Sequence, residues 1–516
     1  MKKTIAAMLA AVMGMSLLLS GCGGGNAGAA GGKDTLTVAT SQDPKDLHPY
    51  KRVSSQILRI NNQIFEPLVK LGEENNTYEP GLATEWEYVD DGMAMQFTLR
   101  QDVKFHNGET MTAEDVVYSF KSMSKETASS GGIDWLDWDG VKALDEKTIY
   151  MPFTYANSIA LGYLSTTNMY IVNQKAMEEL GDDFGAKPVG TGAYMIDEWV
   201  QGDYIKLKAF DDYWGGAPKI KTLMFRIIPE SSQAMIELET GGVNLTLDIS
   251  GKDIERVEAS DSLKMIRGKS VTNDFLCFNT AKEPFSNKTL RQAVAYALDK
   301  DAILQAVFQG QGQVAYGPLT TDTWAFDESL KTNPPYSHDL NKAKELMAQA
   351  GYPDGGLTIE LYIDDKAARV SAAEVIKNQL AQIGITANIH SFDYATWFNI
   401  LYEGVEDDIY LNGINASTGE PDKCFYQYMH KNFAKPGEPN TMRYGNDEFS
   451  KLLDDARTST DDAFKEECYI KAQQIFMDDV PGIAYYQRNQ ECAAQSNLQG
   501  VRLIGESFDL TGCYFE

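Results

Sequence analysis

The sequence predicts a layered α/β fold of several domains, on three observations. The 516-residue chain is long enough for roughly two to four domains of ordinary size. Its composition, 43% hydrophobic and 23% charged, is that of a globular protein and excludes disordered and fibrous classes. The stretch 357–389 has the order strand, helix, strand, with Gly384 where the helix ends, which is typical of a βαβ unit.

The pattern of elements from residue 34 onward alternates between strands and helices. The first strand is predicted at 36–40, and a hairpin at 85–100 turns at Asp90-Asp91-Gly92. Thr112 is followed three residues later by Asp115, the spacing of a capping box at a helix N-terminus. In the second half, apolar periodicity predicts helices at 290–308, 341–350 and 371–383, with strands at 357–363 and 385–389.

The N-terminus has the pattern of a bacterial lipoprotein signal. Two lysines precede an apolar run, 5–19, which is too short to be a good membrane span. The run leads into Leu-Ser-Gly-Cys at 19–22, which resembles a lipobox. The resemblance implies a signal peptide at 1–21, a diacylglyceryl group on Cys22 and a flexible glycine-rich tether at 22–33. An ordinary secretory signal with an incidental cysteine is the alternative.

The charge of the chain excludes one class of partner. Lys and Arg sum to 46 and Asp and Glu to 74, so the net charge is −28. Such a surface repels a phosphate polymer over long range, and nucleic acid is therefore excluded as the main ligand.

The six cysteines show no metal-binding or redox spacing. With Cys22 lipidated, five remain, so at least one has no disulfide partner. Isolated buried thiols are the simpler interpretation. The alternative is one disulfide among Cys468, Cys492 and Cys513.

No catalytic or cofactor motif stands out in the sequence. The five histidines lie far apart, and neither a nucleophile elbow nor a phosphate-binding loop is present. Gly190-Thr191-Gly192 is too short for dinucleotide binding and predicts a turn. Adjacent acids such as Asp182-Asp183 are typical of a solvated surface. Abundant tyrosine and tryptophan without an acid–base pair favour a binding protein with no cofactor and no metal, rather than an enzyme.

Ordered blocks of sequence carry a family resemblance that extends over 35–516. The most specific block is 96–119, which contains His106-Asn107-Gly108 and the capping box. The others are 65–69, 79–86, 188–194, 212–216, 279, 284–285, 291–300 and 343–353. Together they resemble the bacterial extracellular solute-binding proteins of family 5, which serve ABC importers of peptides, nickel and related solutes. In the block 188–194, Ala193 stands where the family usually has proline.

The resemblance implies an α/β, two-lobed periplasmic-binding-protein-like fold of class II, with an extra subdomain inserted in lobe I. The expected divisions are lobe I at 34–67, 190–272 and 483–516, the extra subdomain at 68–189, and lobe II at 273–482. Solute would be enclosed in the cleft between the lobes and passed to a permease unchanged.

The resemblance also implies a place for the solute's amino group. In peptide-binding members, an acid three residues after a tryptophan commonly holds the α-amino group. In the aligned segment 413–422, Ile414 takes the place of the tryptophan and Ser417 that of the acid. A serine supplies no compensating charge, so either Glu420 or Asp422 substitutes, or the solute lacks a free amine there. Ser-Thr-Gly-acid at 417–420 also resembles the glutathione-binding branch of the family.

The candidate solute-binding residues come from two segments, and each segment has a structural alternative. For 413–422 the alternative is a loop ordered by the turn chemistry of its threonine and glycine residues. Tyr394 and Trp397 lie near the position of an aromatic cleft wall in peptide-binding members, but core packing is an equal alternative. The full set is Tyr394, Trp397, Asn415, Ser417, Thr418, Glu420 and Asp422.

The expected function is that of a monomeric, lipid-anchored receptor for oligopeptides or peptide-like solutes. It would act at the outer face of the bacterial cytoplasmic membrane, with the permease subunits of an ABC importer as partners. Binding of nickel complexes, haem or opines by the same fold is the closest alternative. An extracellular peptide hydrolase and a surface adhesin or signalling lipoprotein are alternatives of other classes.

Overall fold

The computed structural model of the protein describes residues 33–51, 55–72, 77–126, 133–166, 169–247, 249–404, 408–416, 419–504 and 507–516. The predicted signal peptide, Cys22 and the tether up to residue 32 lie outside the described residues, as do Ser417 and Thr418. Within the described ranges, every helix is too short or too polar to cross a bilayer.

The strands are short and are distributed along the whole described chain. In chain order they are Thr35–Thr40 (β1), Val69–Leu71 (β2), Tyr78–Pro80 (β3), Ala83–Val89 (β4), Ala94–Leu99 (β5), Lys142–Ala143 (β6), Thr148–Pro152 (β7), Tyr194–Val200 (β8), Tyr204–Ala209 (β9), Thr222–Ile227 (β10), Leu245–Thr246 (β11), Leu263–Gly268 (β12), Thr272–Phe278 (β13), Leu357–Asp364 (β14), Ile385–Phe392 (β15), Ile409–Asn415 (β16), Gly482–Gln487 (β17), Gln490–Gln495 (β18), Leu498–Gln499 (β19), Arg502–Ile504 (β20), Ser507–Asp509 (β21) and Tyr514–Phe515 (β22).

The longer helices lie in the second half of the chain. In chain order the helices are Ser55–Ile64 (α1), Ala113–Met123 (α2), Ala160–Leu164 (α3), Gln174–Leu180 (α4), Ser231–Thr240 (α5), Gly251–Glu258 (α6), Lys288–Ala297 (α7), Lys300–Phe308 (α8), Ser329–Thr332 (α9), Leu340–Gln349 (α10), Ala367–Ala381 (α11), Tyr394–Glu403 (α12), Asp447–Thr458 (α13) and Asp462–Asp479 (α14).

Three sheets organise the fold. The seven-stranded sheet of lobe I has the order β12-β18-β11-β1-β10-β9-β8, and the five-stranded sheet of lobe II has the order β15-β14-β16-β13-β17. The extra subdomain contains the four-stranded sheet β4-β5-β7-β6. One continuous apolar cluster joins Val38 of lobe I to Phe97 of the subdomain, whereas the buried residues of lobe II form separate clusters. The subdomain therefore packs as an extension of lobe I, in agreement with the predicted two-lobed fold.

The chain passes between the two large sheets at two adjacent places. The first crossing, 269–271, joins β12 to β13, and the second, 488–489, joins β17 to β18. They lie side by side, since β13 pairs with β17 and the Arg488 amide donates to the Thr272 carbonyl at 3.0 Å. The predicted boundary at 483, between lobe II and the last segment of lobe I, falls inside β17. The chain leaves the lobe II sheet only after Gln487. Paired crossings of this kind can act as a hinge.

An ion cluster stabilises the lobe II side of the crossings. Arg488 donates to the two carboxylate oxygens of Asp274, from Nε to Oδ2 and from Nη2 to Oδ1, at 2.7 Å each. Arg369 donates to Oδ1 at 3.2 Å. Burial works to raise the pKa of Asp274, but the two guanidinium groups outweigh it and hold the pKa below its ordinary value. The carboxylate thus stays charged and ties the second crossing to β13.

Several local expectations are confirmed and one is wrong. The capping box is present: Thr112 accepts from the Asp115 amide, and the Asp115 side chain accepts from the Thr112 amide. The predicted single helix at 290–308 is instead two helices, α7 and α8. They are separated at Leu298, because the Asp299 side chain accepts from the Ala302 amide and begins a new helix.

The Gly190-Thr191-Gly192 turn brings the subdomain against lobe I. A Cβ at Gly190 would lie 2.0 Å from the Ile64 carbonyl oxygen, so only glycine allows this approach. Nε2 of the buried His106 lies 2.9 Å from the Gly192 carbonyl oxygen. The predicted turn is thus a packing element between α1 and the subdomain.

The five cysteines in the described part of the chain are free and buried: Cys277, Cys424, Cys468, Cys492 and Cys513. The disulfide considered among the last three is therefore not formed. Cys492 and Cys513 lie in the apolar cluster of lobe I, and Cys277, Cys424 and Cys468 lie in a cluster of lobe II.

Candidate functional site

A cavity of about 260 Å³ lies between the lobes. Its described walls come from β2, the end of β12, the first crossing, a turn at Asp322 and Thr323, the loop after β16, and β20. Gln490, the first residue of β18, also lines it, so lobe I, lobe II and the first crossing contribute to one enclosure. Two other cavities, of about 210 and 490 Å³, are lined by lobe II residues alone.

The segment that the family resemblance singled out does reach this cavity. Asn415 ends β16 opposite Thr272, and the Ala416 amide donates to the Val271 carbonyl at 2.8 Å. Ala416 and Gly419 line the cavity. Oδ1 of Asn415 is buried and has no hydrogen-bond partner among the described residues. The loop after β16 is thus held against the first crossing, at the lobe II wall.

Glu420 points away from this wall, toward the subdomain. The Tyr78 hydroxyl donates to Oε1 at 3.1 Å, and Nζ of Lys465 lies 3.9 Å from the same oxygen. Burial raises the pKa of Glu420 to about 7, and the nearby ammonium of Lys465 opposes that shift only in part. Glu420 is absent from the described cavity lining and joins lobe II to β3 instead.

Asp422 is also held by protein groups. Arg457 donates to it from Nε to Oδ1 at 2.9 Å and from Nη2 to Oδ2 at 3.1 Å, and both side chains are 1% exposed. The Tyr163 hydroxyl of the subdomain donates to Oδ2 at 3.2 Å. These contacts place Asp422 in a buried ion pair outside the described cavity lining.

Arg457 extends this pair across the boundary between lobe II and the subdomain. Its Nη1 donates to the Tyr155 hydroxyl at 2.7 Å and to Oδ1 of Asp134 at 3.2 Å. Its backbone carbonyl accepts from the Ser158 amide at 2.9 Å. The subdomain and lobe II are therefore in direct contact at this boundary.

The two aromatic candidates lie on α12, away from the described cavity lining. Trp397 is 1% exposed and packs in the lobe II core, with the Arg369 guanidinium 5.7 Å from its ring centroid. Tyr394 is 53% exposed, and its ring centroid lies 5.6 Å from that of Trp397. The structure thus places Trp397 where core packing explains it, and Tyr394 at the surface.

Sequence reasoning missed the charged residues that line the cavity. They are Arg267 at the end of β12, Lys269 in the first crossing, Arg502 in β20 and Asp322 of lobe II. They come from separate parts of the chain, so no local motif marks them. Asp322 follows two threonines, which is a turn signal but not a binding motif.

Comparison with known proteins agrees with this geometry. The family model described as "Bacterial extracellular solute-binding proteins, family 5 Middle" matches residues 77–435. Heme-binding protein A of Haemophilus influenzae is 27% identical over 87% of this chain and 86% of its own length. Oligopeptide-binding protein AppA of Bacillus subtilis is 27% identical over 97% of this chain and 96% of its own length.

A solved structure of similar sequence shares the whole architecture. The periplasmic binding protein DppA from Helicobacter pylori, in complex with the peptide STSA, is 26% identical and superposes with a TM-score of 0.82. The match covers 93% of this chain and 98% of that one. The family model covers more than half of the chain, and the fold agrees throughout. The chain belongs to the bacterial extracellular solute-binding proteins of family 5.

Proposed function

We propose that this protein captures oligopeptides or peptide-like solutes in the inter-lobe cavity and delivers them unchanged to the permease of an ABC importer. The observation that carries the proposal is a cavity with walls from both lobes and from the first crossing. Relatives whose names include oligopeptide-binding and dipeptide-binding protein support the solute class.

The hinge geometry supports capture by closure. A solute in this cavity touches lobe I and lobe II together only when the cleft is closed. It therefore favours the closed state by the difference between its affinities for the two states. A permease that contacts both lobes can then distinguish loaded from empty receptor.

The lipobox supports a membrane-anchored receptor. A diacylglyceryl group on Cys22 would hold the protein at the outer face of the cytoplasmic membrane, and the glycine-rich tether would let a monomeric body reach its permease. Each buried methylene contributes about 0.8 kcal/mol, so two acyl chains give durable anchoring.

The lining chemistry favours a peptide over haem. Haem iron is held in proteins by His, Cys, Met or Tyr side chains. The described lining of the inter-lobe cavity contains none of these four residue types. It offers charged groups and aliphatic surface, which suit a small polar chain with aliphatic side chains.

Native mass spectrometry and calorimetry test the proposal. We expect a peptide-sized mass to co-purify with the full-length protein, and saturable heat when a mixed peptide library is titrated. Ile504→Trp, which fills the cavity from β20, should abolish the heat, whereas Val370→Trp on the exposed face of α11 should not. Heat from haem or a nickel chelate, with none from the library, would overturn the proposal. Cleaved peptides among the products would instead support a hydrolase.

A further inference from the structure

The smaller of the two lobe II cavities, of about 210 Å³, lies apart from the cleft. Its walls come from the end of α14, the beginning of β17 and the start of α8. Much of the wall is apolar, and its buried members include Leu298, Phe476, Val480 and Ile483. An apolar cavity of about 150 Å³ is enough to hold benzene. The smaller lobe II cavity therefore has room for a small organic molecule with an apolar body.

The wall of this cavity contains one lysine. Lys300, the first residue of α8, donates from Nζ to the Ala315 carbonyl at 2.8 Å, and both residues line the cavity. An ammonium group carries three N–H donors. Within the described part of the chain, the Ala315 carbonyl is the one acceptor bonded to this ammonium, and no carboxylate forms an ion pair with it. Two donors of Lys300 are thus left for a group inside the cavity.

The two acids of the same wall do not neutralise Lys300 at short range. The Asp299 side chain accepts from the Ala302 amide at 2.9 Å and caps α8. Asp301 is exposed, and its carboxylate favours the charged form of Lys300 only through space. Burial outweighs this attraction and lowers the pKa of Lys300 from 10.5 to about 8. At pH 7 the side chain is still mostly protonated, so the cavity wall carries a positive charge that a bound anion would compensate.

We propose that the smaller lobe II cavity is a second binding site, which takes a small carboxylate with an apolar body. The carboxylate accepts charge-assisted hydrogen bonds from Nζ of Lys300, and the apolar body packs against Phe476 and Ile483. Because every described wall belongs to lobe II, the site is complete whether the cleft is open or closed. A ligand there has the same affinity for both states, so we expect it to bind independently of the transported solute.

Benzoate and its neutral analogue benzamide test this assignment, each titrated into the full-length protein by calorimetry. We expect the wild type to bind benzoate about 10- to 100-fold more tightly than benzamide, the contribution of one charge-assisted hydrogen bond. Lys300→Met keeps an apolar stem but removes the ammonium. It should weaken benzoate binding by the same factor and leave benzamide binding unchanged. Lys344→Met, which removes an exposed lysine of α10, is the matched control and should bind both probes as the wild type does.

A co-crystal of the wild type with para-bromobenzoate locates the ligand without any substitution. The anomalous signal of bromine should lie in the smaller lobe II cavity, and benzoate should still bind to Ile504→Trp, in which the inter-lobe cavity is filled. Absence of benzoate heat, bromine at another place, or equal benzoate affinity of wild type and Lys300→Met would each overturn the assignment. So would displacement of benzoate by the peptide library. A protein that binds benzoate here but no peptide would contradict the proposed function and leave the second site standing.

Discussion

Arg457 and Asp422 form a buried two-point ion pair that also fastens the extra subdomain to lobe II. The pair is 1% exposed on both sides, and its remaining hydrogen-bonding groups contact Tyr155, Tyr163 and Asp134 of the subdomain. The Tyr426 ring lies beneath the guanidinium, 3.4 Å from its central carbon to the ring centroid. A charge so fully removed from water is tolerated only because each partner compensates the other.

Removing one partner of this pair should destabilise the protein strongly. Arg457→Met leaves the Asp422 carboxylate buried without its counter-charge, and we expect the free energy of unfolding to fall by about 3–5 kcal/mol. Urea denaturation followed by circular dichroism measures it. Arg256→Met, which removes a half-exposed guanidinium paired with Glu239, is the matched control and should cost at most about 1 kcal/mol. Equal losses of unfolding free energy in the two variants would show that the buried Arg457 pair stabilises the protein no more than an exposed pair does.

A second contact between the subdomain and lobe II should make the free energy of unfolding depend on pH. Burial raises the pKa of Glu420 to about 7, from 4.5 for an ordinary glutamate. The folded protein therefore keeps this proton to a higher pH than the unfolded chain does. The resulting stabilisation is complete below about pH 4.5 and is lost as the pH rises through about 7.

Comparison of the wild type with Glu420→Gln isolates this effect. The variant keeps an acceptor for Tyr78 but does not titrate. Between about pH 4 and pH 8, the wild type should lose about 3 kcal/mol of unfolding free energy relative to the variant. Glu85→Gln, an exposed substitution in β4, controls for the loss of one acid. A difference that stays constant over this range would mean that Glu420 has the same pKa in the folded and unfolded protein, and would contradict the prediction.

Local signals in the sequence predict local structure well in this chain. The capping box at Thr112 and Asp115 and the strand at 36–40 are encoded within a few residues, and both are confirmed. The break between α7 and α8 was missed because the apolar stripe continues through Leu298, whereas a side-chain cap at Asp299 decides where the second helix begins.

The site could be predicted only in part, because its walls come from distant segments. The resemblance located the loop after β16, and Ala416 and Gly419 of that loop line the cavity. It could not reveal that Asp422 is paired with Arg457, since that pairing depends on how α13 packs. No binding motif marks Asp322 in the sequence, because contacts of its turn with the distant residues Ser270 and Gln487 help to bring it to the cavity.

The lipid anchor is testable independently of the solute. Cys22→Ser removes the acceptor sulfur, so the protein should move from the membrane fraction to the soluble fraction and should no longer incorporate labelled palmitate. Cys277→Ser, which alters a buried thiol of lobe II, is the matched control and should remain with the membrane. Retention of Cys22→Ser in the membrane fraction would favour an ordinary secretory signal with a different means of attachment.

The five thiols of the folded body should be nearly inert until the protein unfolds. Burial raises the pKa of Cys492 and of Cys513 from 9.0 to about 12, so the reactive thiolate is about a thousandfold scarcer than in an ordinary cysteine. All five described cysteines are also shielded from solvent. In the Cys22→Ser protein, a disulfide-exchange reagent should therefore titrate five thiols in denaturant, and almost none within minutes under native conditions. Recovery of only three thiols in denaturant would reveal a disulfide and contradict the structure, since all five described sulfurs are free.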